Sequence, residues 1–140
     1  MVSDLSTREL MFNAASKAYE DASIDPRKDV GSFICCTEDL WEGWNISDEM
    51  VPDQIGGAAR PVCTIAGDAI TGLGNAVMHI LAGVTDVVAL EAHSKAAENS
   101  IRRQKTWCLV LVLMRSTTYP QVRHMTKRKA QGMVLKMAMS

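Results

Sequence analysis

From Leu10 onward an apolar residue returns every three or four positions: Leu10, Met11, Ala14, Ala15, Ala18, Tyr19 and Ala22. That spacing lines one face of a helix and predicts one over about 7–22. Ser6-Thr7-Arg8-Glu9 begins it with the Ser/Thr-x-x-Glu form of a capping box. The many alanines on the apolar face suit close packing on a sheet. Asp25-Pro26 stops the helix and opens a turn. Val30 to Thr37 is a short apolar run between charges, the pattern of a buried strand. Residues 38–50 are acidic, carry Trp41 and Trp44, and are expected as a surface loop. Within it Ser47 caps a short helix through Met50, Asp53 and Gln54, ending at Gly56-Gly57. Pro61 to Ile65 predicts a second strand. Ala66-Gly67-Asp68 is then a turn, with Asp68 as N-cap of a helix carried by Ala69, Ile70, Leu73, Ala76, Val77, Ile80 and Leu81. Gly72 and Gly74 lie inside that helix, each costing ~1 kcal/mol against alanine. Their presence predicts close backbone approach to another element. After Gly83, Asp86 to Leu90 predicts a third strand, running into Glu91-Ala92-His93-Ser94-Lys95.

Strands alternating with helices imply an α/β layer with mostly parallel strands and right-handed crossovers. Three strands and two good helices make a thin domain, as if part of something larger. The 140-residue length is that of about one domain. Hydrophobic residues at 47% and charged residues at 22% exclude general disorder, a collagen-like fibre and a disulfide scaffold. The longest apolar run, Trp107 to Met114, is too short for a membrane-spanning helix of ~20 residues. No leader peptide is read at the start, and a cytoplasmic setting with reduced thiols is expected.

The formal net charge of −1 conceals a break. Residues 1–100 hold all sixteen acidic residues and six basic ones, a net of −10. Residues 101–140 hold nine basic residues and no acidic one, a net of +9. The chain therefore divides into a body, 1–100, and a basic tail, 101–140, expected as loose or disordered. A shift of reading frame would produce such a tail; a genuine basic extension is the alternative.

Among candidate chemistries Cys63 comes first. It lies near the end of a strand that feeds a tight turn and a helix N-terminus, where a thiol can be activated. Because it precedes the N-cap by five residues, spacing alone favours a buried core thiol. The other cysteines, Cys35, Cys36 and Cys108, match no zinc spacing and are expected as buried thiols; no metal is expected. His79 has no acidic neighbour in sequence and is expected as an ordinary helix residue, His93 as a loop histidine. Ser94 lacks a Gly-x-Ser-x-Gly elbow, and no dinucleotide or P-loop motif is present. The acidic group Glu38, Asp39, Glu42, Asp48 and Glu49 is expected as a solvated loop. Lys127-Arg128-Lys129 has no aromatic interleaving, so no nucleic-acid partner is expected.

Three stretches carry a family resemblance: Ser6 to Ala22, Glu38-Asp39-Leu40-Trp41-Glu42-Gly43, and Arg60 to Ala76 with its Arg-Pro-Val-Cys-Thr-Ile-Ala-Gly-Asp-Ala opening. Leu81 to Ala96 continues it. Together these resemble the N-terminal half of archaeal-type thiolases, acyl-CoA acyltransferases related to sterol-carrier-protein thiolases. The resemblance implies a partial thiolase-like fold, half of a layered α-β-α-β-α arrangement, without the family's first strand and C-terminal half. It implies acyl-CoA thioesters as substrates, no covalently bound cofactor, a cysteine nucleophile, a role in lipid metabolism of the acetyl-CoA acetyltransferase type, and a homo-oligomer or a thiolase-like partner subunit. Counting back without gaps from Gly83 and Asp86 places Ala66 at the nucleophile position; a three-residue gap places Cys63 there. The same count puts Ser94 where many members carry glutamate. A truncated acyltransferase, inactive alone, and a non-catalytic acyl-CoA-binding or partner subunit are both open.

Overall fold

The computed structural model describes residues 5–37, 47–94, 107–115 and 133–139. Helix α1 spans Thr7–Ala22, opened by the expected capping box. The Glu9 N–H donates to Ser6 Oγ at 3.2 Å, and the Ser6 N–H donates to Glu9 Oε2 at 2.7 Å. Ser23 closes it in the left-handed region, at φ 56°. Asp25 caps a single turn, α2, Pro26–Asp29, with proline at the start where its missing N–H is harmless. Strand β1, Ser32–Cys36, is buried throughout. Helix α3, Ser47–Ile55, holds Pro52 inside it and ends at Gly56, which takes a positive φ. Strand β2 is Val62–Ile65 and helix α4 is Ala69–Leu81. Strands β3, Val87–Ser94, β4, Trp107–Arg115, and β5, Met133–Met139, complete the chain.

The five strands form one sheet in the order β2-β1-β3-β4-β5. β2, β1 and β3 are parallel, as their helical crossovers require. β4 and β5 are antiparallel to their neighbours. The alternation of side chains divides the core into two layers. Phe33, Cys35, Val87, Ala89, Cys108, Val110, Val112 and Met114 face α1 and α3, among Met11, Ala14, Ala18, Val51 and Ile55. Ile34, Cys36, Val88, Leu90, Ala92, Leu111 and Leu113 face α4, with Ala76 and Ile80. Tyr19 joins α1 to α3 by donating to the Ile55 carbonyl at 2.6 Å, and burial pushes its hydroxyl pKa up.

Three expectations are corrected here. The third strand does not stop at Leu90; it runs to Ser94, and so carries His93 into the sheet. The period-2 pattern continues through Glu91, a charge that masked it. The tail is not uniformly loose: two of its segments are strands, since β4 covers the open edge of β3, with Val110, Val112 and Met114 buried on one face and Leu111 and Leu113 on the other. Of the two helix glycines, Gly72 marks close approach and Gly74 does not. A Cβ at Gly72 would fall on Cys36 Sγ and lie 2.6 Å from Leu90 Cδ1, whereas one at Gly74 would meet nothing within 4 Å. The acidic residues 38–46 and Lys127-Arg128-Lys129 lie outside the described residues. Among the described residues no helix is long and apolar enough to cross a membrane.

Candidate functional site

The carboxyl ends of β1, β2 and β3 come together at one edge of the sheet, where open α/β folds build their sites. Thr37, just past β1, donates its N–H to the Ile65 carbonyl at 3.2 Å and holds two of these ends together. The chain then turns through Ala66 and Gly67, at φ 147°, into α4. Asp68 caps that helix as expected. Its Oδ1 accepts from the Ile70 N–H at 3.1 Å, the Thr71 N–H at 3.0 Å and the Thr71 hydroxyl at 3.1 Å. Bonds from Thr71, first its N–H and then its hydroxyl, hold the Asp68 carboxyl below its ordinary pKa. The positive end of α4 is thus satisfied by the chain's own carboxylate.

Cys63 stands on β2, opposite Ile34 in register and at the open side of the sheet. It is exposed, which corrects the expectation of a buried core thiol. The reason is topological: β2 is an edge strand with β1 as its one strand neighbour, so no strand flanks Cys63 on the outer side. Its thiol makes only a weak contact with the Thr64 carbonyl, at 4.0 Å. Ala66 lies in the exposed turn and supplies no nucleophile. Cys35, Cys36 and Cys108 are buried. Burial, reinforced by the Glu91 carboxylate and partly opposed by the Gly72 N–H, pushes the Cys36 thiol up to about 11. Burial and Glu91 push Cys108 up further still. Neither is a thiolate at neutral pH, which leaves Cys63 as the accessible thiol.

His79 is more than an ordinary helix residue: its Nδ1 lies 3.1 Å from Ser32 Oγ and ties α4 to the start of β1. His93, expected in a loop, is buried on β3, with Nδ1 2.9 Å from Glu91 Oε1. Cys35 donates to Glu91 Oε2 at 3.4 Å and Cys108 to Glu91 Oε1 at 3.6 Å. A carboxylate without any exposure costs several kcal/mol unless it is paired; here an imidazole and two thiols surround it. Continuing the alternation Val87, Ala89, Glu91, His93 along the strand is the signal that places this group on the α1 face. The group is sealed in the core and does not meet Cys63, which lies on the α4 face. Among the described residues no three of His, Cys, Asp and Glu are placed to hold a metal ion.

No protein-family model and no curated protein matches the chain. Solved structures do. It is similar to 3-oxoacyl-[acyl-carrier-protein] synthase III from Aquifex aeolicus VF5, at 18% identity and TM-score 0.57, over 69% of this chain and 32% of that one. It is also similar to Xanthomonas campestris OleA. A cysteine-to-serine variant of OleA, seen with lauric acid and lauroyl-CoA, matches 84% of this chain and 42% of its own, at 17% identity and TM-score 0.62. A glutamate-to-glutamine variant of OleA matches 99% of this chain and 42% of its own, at 16% identity and TM-score 0.55. The chain spans about a third to two fifths of these structures' length. What it shares with them is the thiolase-like α/β fold.

Proposed function

We propose that this chain is part of a thiolase-type acyltransferase that handles acyl-CoA thioesters, with Cys63 as the acyl acceptor. The observation that carries the reading is the position of the one exposed thiol, on the strand entering the turn before α4 in a thiolase-like fold. In the first step the Cys63 thiolate attacks the thioester carbonyl, the CoA thiolate leaves, and an acyl-cysteine forms. Carbon–carbon bond formation or cleavage would follow with a second acyl-CoA, in the manner of an acetyl-CoA acetyltransferase. No described side chain is placed as a base for either step. Groups that act as a unit lose most of their effect when some are missing, so the chain alone is expected to turn over no acetoacetyl-CoA.

The experiment is alkylation by a haloacetyl thioester of CoA, read by intact mass. Wild type is expected to take one label, at Cys63, at least tenfold faster than from iodoacetamide; Cys63→Ala is expected to take none. Equal rates from the two reagents would mean an exposed thiol without a CoA site. A second reading, a non-catalytic acyl-CoA-binding or partner subunit, is favoured by Ala66 in the turn and by Asp68 occupying the helix N-terminus. Calorimetric binding of acyl-CoA with no preferential labelling would select it.

A further inference from the structure

We draw no further inference here: the strongest candidate, the cleft between α1 and the end of α3 that Phe12, Tyr19, Arg27, Asp53 and Ile55 line, carries nothing because nothing in the structure shows what covers it, a ligand or the length of the similar solved structures that this chain does not match.

Discussion

Gly72 and Asp68 show how single side chains set the position of α4. Removing the Cβ at Gly72 lets the helix backbone rest on Cys36 and Leu90. Gly72→Ala should therefore destabilise the chain by ~1–3 kcal/mol through overpacking, seen as a lower denaturant midpoint with unchanged slope. A neutral or stabilising result would mean that α4 sits further from the sheet. Asp68 acts at the other end of the same turn. Its carboxyl is held below its ordinary pKa by bonds from Thr71 and Ile70. A depressed carboxylate contributes stability that is fully present above the ordinary carboxylate range and is lost as pH falls through the lowered value. Asp68→Ala should thus lower Tm near neutral pH, and the gap from wild type should narrow below about pH 4. A gap that stays constant on acidification would show that the charge has no part in the cap.

Strand β4 decides whether the sheet is closed off or open. It pairs with β3 along eight residues, from Val87 opposite Met114 to Ser94 opposite Trp107. Val110, Val112, Leu113 and Met114 are without exposure, so the strand belongs to both core layers. A chain ending at residue 100 would expose the outer edge of β3 and the apolar side chains that β4 covers, and open edges pair with other chains. That shortened chain is expected to lose cooperative thermal unfolding and to aggregate. A sharp calorimetric transition from it would show that β3 needs no partner on that side.

Over the whole molecule, acidic and basic residues segregate along the chain, and among the described residues one ion pair joins the two parts. Arg115, at the end of β4, pairs with Asp86 ahead of β3 at 2.7 Å and also donates to the Ile80 carbonyl. A half-exposed ion pair of this kind adds at most ~1 kcal/mol, and the body and the tail carry opposite net charges, whose attraction salt screens over a length of ~10 Å at 0.1 M. Tm is therefore expected to fall as NaCl rises from about 20 to 500 mM, and Asp86→Asn to flatten that dependence. A Tm that rises with salt would mean repulsion within the acidic body outweighs the attraction.

The elements themselves were legible because their signals are local. Ser6 and Glu9 announce α1 through hydrogen bonds three residues apart, and Asp68 announces α4 in the same way. Apolar spacing placed β1 and β2 to within two residues at each end. Long-range pairing was not legible. Glu91 broke the apolar pattern of β3, and only its partners His93, Cys35 and Cys108, drawn from three strands, explain a carboxylate in the core. Nothing near Cys63 in sequence says that β2 lies at an edge; that follows from β3 passing to the far side of β1 and leaving β2 with one neighbour. Composition separated residues 101–140 from the body by charge, yet the sheet took two of their segments. Charge is a property of the residues alone, whereas an unpaired strand edge exists only once the other strands are in place, and covering it is a demand of the assembled fold.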